Sequence, residues 1–405
     1  MAAEQATIIH VLISLAILLF SAKIFAELFN KLKLPAVLGE LMAGIIVGPF
    51  ALGSIPIFDG KPLVILNETV HQIGEIAGIV ILFIAGLEIT PREFLRGGVA
   101  SFTIGALGVI VPFFLGYYVF TIFGLDGLQS VLIATALTAT SIAISVSVLG
   151  ELGKMQTKEA KIILGAAIVD DILAIAVLSV VVSMVQTGNL SPNIVDVTFL
   201  ILKILAIFAA LLVGAIVVVP RILHAERLWK ARGSIEGIVT ASFFGASAIA
   251  AAVGLSPIVG AFSVGMAVAS TKLIKRVEEY VDKLEIIFAP LFFAIIGAQV
   301  NLTGVNLDVL FLSAIIIIVA IISKLAGCGL PAIIFLKSKS KAMRVGIGMI
   351  SRGEVGLIVA GIGVTSGALS PNIYTTVIIM VAITTLITPI WLRKVFSKED
   401  SLHNP

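Results

Sequence analysis

Long apolar runs, each closed by a short cluster of charged or turn-forming residues, follow one another along the whole chain. A helix rising about 1.5 Å per residue needs about 20 apolar residues to cross a hydrocarbon core of about 30 Å. The runs have that length and predict thirteen membrane-spanning helices, over 8–29, 36–53, 70–89, 98–123, 128–150, 161–186, 196–222, 234–252, 256–271, 284–300, 306–336, 343–366 and 371–396. The fold class is an all-α polytopic membrane protein. Between the runs lie only short loops, so no soluble domain, low-complexity linker or cleavable signal peptide is expected.

Charge placement orients these helices, because cytoplasmic loops collect Lys and Arg. With the N-terminus outside, 22 of the 27 basic residues fall in or beside the loops after odd-numbered spans and in the tail, against Lys61 alone on the other face. The remaining four, Lys23, Lys203, Lys324 and Arg352, lie inside spans. The expected topology is therefore N-terminus outside and C-terminus cytoplasmic. An odd number of spans suggests two six-span halves, 1 to 6 and 8 to 13, inverted about span 7.

Composition agrees with the pattern. Of 405 residues, 59% are hydrophobic and 13% charged, against roughly 25% charged in soluble domains, and the mean hydropathy is +1.17. The net charge of +3 reflects the loop excess and implies orientation, not a nucleic-acid partner. Cys328 is the single cysteine, which excludes an internal disulfide.

Candidate chemistry sits where charge is least expected. Asp170 and Asp171 interrupt an apolar helix, where a single carboxylate costs about 2.5 to 3.5 kcal/mol on insertion scales. They follow Lys161 by nine and ten residues, about 15 Å of helix. Lys324, Glu354, Thr140 and Ser141 fall at similar depths on spans 11, 12 and 5, near the midplane. Lys23 and Lys203 are close enough to span ends to snorkel. Successive helical residues point about 100° apart, so only one aspartate can pair with Lys324 while the other faces a water-filled cavity. A carboxylate there is neutralised by a proton or by a small hard cation, and competition for one site combined with alternating access is antiport. The segment Thr135 to Ser145 adds hydroxyl oxygens, which hard cations prefer, although Ser and Thr also bond back to their own helices. Glycines in Ser351 to Gly363 permit a helix break and equally permit close helix packing. Glu40 and Glu88, near the cytoplasmic ends of spans 2 and 3, are candidates for an acidic funnel or for simple capping. His10 and His71 lie near the outer face.

Two other classes fit less well. An intramembrane aspartyl protease needs aspartates converging from different helices, which adjacent positions do not supply. A cation channel also uses acidic residues, but a buried Lys324 would repel cations from a continuous pore.

Several segments carry a family resemblance: Leu38-Gly-Glu-Leu-Met-Ala-Gly-Ile-Ile-Val-Gly-Pro49, Leu82-Phe-Ile-Ala-Gly-Leu-Glu88, Thr138-Ala-Thr-Ser141, Val169-Asp-Asp-Ile172, Ser323-Lys-Leu-Ala-Gly327 and Ser351-Arg-Gly-Glu-Val355. In order and placement the chain resembles the monovalent cation:proton antiporter superfamily, second subfamily, over essentially its whole length. The resemblance implies an inverted-repeat antiporter fold with crossed discontinuous helices. It implies a dimerisation or scaffold domain over 1–95 and 234–305, an ion-translocating core over 96–190 and 306–396, a linker helix within 191–233 and a short tail over 397–405. Asp171 would bind cation or proton, with Asp170, Thr140 and Ser141 completing the transported-cation site. Asp170 would exchange a salt bridge with Lys324 for ion binding, and Thr138, Arg352 and Glu354 would brace or tune the site. The expected activity is transport rather than enzymatic catalysis, without a cofactor. The expected partners are Na+ or Li+, H+, membrane lipids and a second copy of the chain, in the plasma membrane. The aspartate pair and the end at Pro405 favour electrogenic sodium/proton exchange over potassium efflux, whose members typically carry Gln before the aspartate and a nucleotide-binding domain.

Overall fold

The computed structural model describes residues 2–403 except 33, 59, 97, 188–193, 225–230 and 302–304. Lys33, Arg227 and Lys230, and the side chains of Lys61, Arg96, Glu354 and Lys398, lie outside the described residues. The described chain is helical: α1 (Ala2–Lys31), α2 (Ala36–Val47), α3 (Glu68–Leu87), α4 (Pro91–Arg96), α5 (Gly98–Ile122), α6 (Gly127–Ala136), α7 (Ile142–Glu151), α8 (Lys158–Thr187), α9 (Ile194–His224), α10 (Ser234–Ala252), α11 (Pro257–Ala269), α12 (Ile274–Ala298), α13 (Leu307–Lys324), α14 (Leu330–Leu336), α15 (Lys339–Gly348), α16 (Glu354–Thr365) and α17 (Pro371–His403). A small antiparallel ribbon, β1 (Pro56–Phe58) with β2 (Lys61–Pro62), is an addition to the all-α expectation.

Nine of the described helical segments are long and apolar enough to cross a membrane, and Gly127–Ala136, Ile142–Glu151, Pro257–Ala269 and Val355–Val364 are shorter apolar helices. α12 begins ten residues before the expected span, because its first half is an amphipathic stretch carrying Lys275, Arg276, Glu278, Glu279, Asp282, Lys283 and Glu285. The expected spans 128–150 and 343–366 are each divided, into α6 and α7 and into α15 and α16. Helix starts follow local capping chemistry: Asn67, Asp126 and Asn306 accept hydrogen bonds from Val70 N, Gln129 N and Val309 N, which satisfies backbone donors that a first turn leaves open.

Helix packing falls into two sets. α1, α2, α3, α9, α10, α11 and α12 pack among themselves, with α2 on α1 and α12, and α3 on α11 and α12. α5 packs on α6, α8 and α13, α13 on α17, α16 on α6 and α17, and α15 on α8, α14 and α17. Few contacts cross between the sets, chiefly α8 with α9, α2 with α7 and α17, and α3 with α7. Within the first set, a Cβ on Gly86 would collide with Phe262 O and one on Gly265 with Phe83 O. Only glycine at both positions lets α3 and α11 approach backbone to backbone.

One charge differs from its expected place. Arg344 was counted with the loop cations, but it is buried and pairs with buried Glu159 at 2.7 Å. α15 begins before it, at Lys339, so its side chain is carried inward against α8 and α17.

Candidate ion-binding site

The two interrupted helices cross at their interruptions. α6 ends at Ala136 and α7 starts at Ile142; α15 ends at Gly348 and α16 starts at Glu354. In the first, hydroxyls draw the backbone out of helical register: Thr135 Oγ1 donates to Val131 O and Thr138 Oγ1 to Thr135 O, the local bonding by which Ser and Thr compete with helix. The freed backbone groups are then satisfied across the crossing. Ser141 N donates to Ser351 O at 2.9 Å and Ser351 Oγ donates back to Ser141 O at 2.9 Å. Thr140 Oγ1 donates to Met349 O at 3.4 Å and Ser145 Oγ to Gly348 O. Gly353 permits the contact, since a Cβ there would lie 2.9 Å from Ser141 Cβ.

Asp170 reaches this crossing from α8. It is fully buried; Oδ1 accepts from Lys324 Nζ at 2.6 Å and Oδ2 from Thr140 N at 2.9 Å. One carboxylate thus joins α8, α13 and the first break. Lys324 is the last residue of α13 and is followed by a π-helical turn, Leu325–Gly329. Pro331, at the start of α14, has no N–H to offer an α-helical ladder, and Leu330 N instead bonds five residues back to Leu325 O. Single π turns concentrate at functional positions. Cys328 lies in this turn, buried against Ile104 O. α5 closes the remaining side: a Cβ on Gly108 would sit 2.6 Å from Cys328 Sγ and 3.3 Å from Asp170 Oδ1.

Arg352 is also fully buried. Nη2 donates to Ala320 O at 3.0 Å and Nη1 to Ala139 O at 3.5 Å, so the guanidinium bridges α13 and the first break. Its own backbone is held by α17, where Thr384 Oγ1 accepts from Arg352 N at 3.3 Å and Thr385 Oγ1 donates to Arg352 O at 2.9 Å. Sequence reasoning misses these threonines. The available signal is the run Thr384-Thr385-Leu-Ile-Thr388 within an apolar span.

The structure therefore brings Asp170, Thr140, Ser141, Lys324 and Arg352 together. Asp171 is half-buried at the next position of α8, and Thr138 is buried with its hydroxyl turned back on its own turn. Glu40 is buried on α2. Glu88 caps the end of α3, half-buried, and its carboxylate accepts from Gln156 Nε2 at 2.7 Å. Both stand apart from the crossing. His71 Nδ1 lies 3.5 Å from Gln299 Nε2, and His10 is buried on α1. Chemically, the crossing holds a carboxylate in direct contact with an ammonium, inside a shell of main-chain groups freed from two helices. Such an arrangement can exchange one positive charge for another without exposing the acid to lipid.

Comparison with known proteins agrees with this geometry. A family described as sodium/hydrogen exchanger, transmembrane, matches residues 15–398. The high-affinity Na(+)/H(+) antiporter NhaS3 of Synechocystis sp. is 35% identical, over 98% of this chain and 92% of that protein. The Na(+)/H(+)-K(+) antiporter GerN of Bacillus cereus is 34% identical, over 95% and 96%. The sodium proton antiporter MjNhaP1 from Methanocaldococcus jannaschii shares the fold, with a TM-score of 0.69 at 18% identity, covering 96% of this chain and 98% of that one. The chain belongs to the sodium/hydrogen exchanger family, a family of membrane transporters.

Proposed function

We propose that the chain exchanges protons for a monovalent cation, Na+ or Li+ first, by electrogenic alternating access. The observation that carries this reading is the fully buried Asp170–Lys324 pair at the crossing of two broken helices. A buried ion pair is a poor source of stability, and its use here is exchange: an arriving cation takes the place of the ammonium beside Asp170, with Asp171 and Thr140 as further oxygen donors. Asp171 and Lys324 each give up a proton as the cation enters, so two protons leave for one cation and the cycle moves net charge. All thirteen expected spans, with the N-terminus outside and the C-terminus cytoplasmic in the plasma membrane, belong to this reading. The second helix set is the moving core, 96–190 with 306–396, sliding as an elevator against the scaffold of 1–95 and 234–305, through which two copies associate. The linker is within 191–233.

The test is reconstitution in sealed liposomes with an imposed pH gradient, adding Na+, Li+ and K+ in turn. Proton movement coupled to Na+ or Li+, and lost in Asp171→Asn, is expected. Asp170→Asn with Lys324 retained is expected to change the charge moved per cycle, read as a membrane-potential response. K+ belongs in the assay because GerN, a relative at 34% identity, is named for K+ as well as Na+. Cation leak without proton movement would replace exchange by a channel.

A further inference from the structure

Three basic side chains are buried among the described residues, and they are not equivalent. Arg344 pairs with Glu159 at 2.7 Å and Lys324 with Asp170 at 2.6 Å. Arg352, fully buried and beside the crossing, makes no ion pair among the described residues; its Nη atoms rest on the neutral carbonyls of Ala139 and Ala320, and its Nε has no hydrogen-bond partner. Burying a cation without an acid is costly, and a guanidinium cannot shed its proton to relieve that cost. A hydrophobic or amide side chain would brace the crossing without the penalty. The charge itself is therefore the feature that needs a role. It acts on the site through space, since Asp170 and Lys324 both lie within electrostatic reach of Arg352. The threonine pair of α17 fixes the backbone on both sides of its Cα, so the charge does not follow the ion.

We propose that Arg352 is the fixed counter-charge of the ion site, a specificity- and release-setting residue whose permanent positive charge keeps the transported cation from being held too tightly to leave. Two adjacent aspartates balanced by one lysine would otherwise form a strong trap for any cation. With Arg352 in place, Asp170 and Asp171 face two fixed or exchangeable positive charges among the described side chains, and an entering cation gains only what the departing protons give up. Asp170 and Asp171 supply attraction, and Arg352 sets its ceiling. This inference rests on the exchange reading of the site.

The test compares the unmodified protein with Arg352→Gln and Arg352→Lys in proteoliposomes, measuring the Na+ concentration dependence of proton movement at one fixed pH. One unit charge removed at helix-packing distance at an effective dielectric near 20 corresponds to about tenfold or more in binding. Arg352→Gln is expected to lower the apparent KM for Na+ by about tenfold and to lower kcat with it, because release slows. Arg352→Lys keeps the charge and is expected to hold KM within about twofold while kcat falls through loss of the two-carbonyl bridge. A merely structural role predicts the reverse split, with KM unchanged or raised in both variants, and that result overturns the proposal. Should Arg352→Gln fail to assemble, Arg352→Lys decides: an assembled Lys variant with KM altered tenfold refutes a role for charge alone. Absence of coupled proton movement in the unmodified protein would overturn the exchange reading instead, whereas coupled movement with an unshifted Gln variant overturns only this inference.

Discussion

Glu159 of α8 and Arg344 of α15 form a second buried ion pair, 2.7 Å apart, at the far end of the helix that carries Asp170. Arg344 Nε also donates to Val395 O at 3.2 Å, and its guanidinium lies 4.7 Å from the centre of the Phe396 ring. Three helices that meet at the ion site are thus joined again where they leave it. Removing one partner of such a pair leaves an uncompensated buried charge and costs about 3 to 5 kcal/mol. Glu159→Gln is expected to lower the thermal unfolding midpoint in detergent. The double variant Glu159→Leu with Arg344→Met is expected to recover most of the loss; an equal loss in both would mean that the pair stabilises by itself.

Gly108 marks the closest approach of α5 to the site. A methyl group there meets Cys328 Sγ at 2.6 Å, so Gly108→Ala is expected to destabilise by about 1 to 3 kcal/mol through overpacking. The same change with Cys328→Ala gains room and is expected to regain at least half of it. Transport by each variant, measured beside its unfolding midpoint, separates displacement of Lys324 from loss of fold.

Polar contacts bolt the two helix sets together at one end. Glu151, at the end of α7, accepts from Ala36 N at 3.0 Å and Val37 N at 3.1 Å, capping α2 across 115 and 114 residues of sequence. Gln156 donates to the Glu88 carboxylate at the end of α3. If the core slides against the scaffold, these contacts part in every cycle. Cysteines replacing Glu88 and Gln156 in a Cys328→Ala background, joined by a short bifunctional maleimide, are expected to stop exchange. Undiminished exchange after complete joining would exclude sliding at this seam.

The Lys161–Glu93 pair at 2.6 Å sits outside the apolar core, and its hydrogen bond, reinforced by the Thr90 backbone, holds the Glu93 carboxyl down at about 2 against an ordinary 4.5. A depressed carboxyl contributes stability that is fully present above the ordinary value and is lost as pH falls through the depressed one. The side chain is well exposed, so the effect is small. Unmodified protein and Glu93→Gln are expected to differ by a constant amount between pH 7 and about 5. The difference should shrink as the pH falls from 4.5 toward 2, read from unfolding midpoints.

Position along each helix was legible in the sequence, because it depends only on residue count from the nearest charge. That is why the sequence puts Asp170, Lys324, Thr140 and Ser141 in one layer before any contact is known. Lateral relations were not legible. Arg344 and Glu159 sit at the edges of the expected spans, where charge is ordinary, and nothing in spacing distinguishes a buried pair from two solvated side chains. Thr384 and Thr385 look like common membrane-helix hydroxyls until the backbone of Arg352 is seen between them. The division of two spans into four shorter helices was foreshadowed by clustered Thr, Ser and Gly, but the mutual bonding of the two breaks required knowing which helices cross.

That mutual bonding has a consequence for biogenesis. Ser351 Oγ and Ser141 O are separated by 210 residues, and each break satisfies main-chain groups of the other. At about 5 to 20 residues per second, the first break waits about 10 to 40 s in the membrane before its partner is made. Through that interval its backbone must be kept wet or chaperoned, so assembly of the first half cannot be completed until the second half arrives.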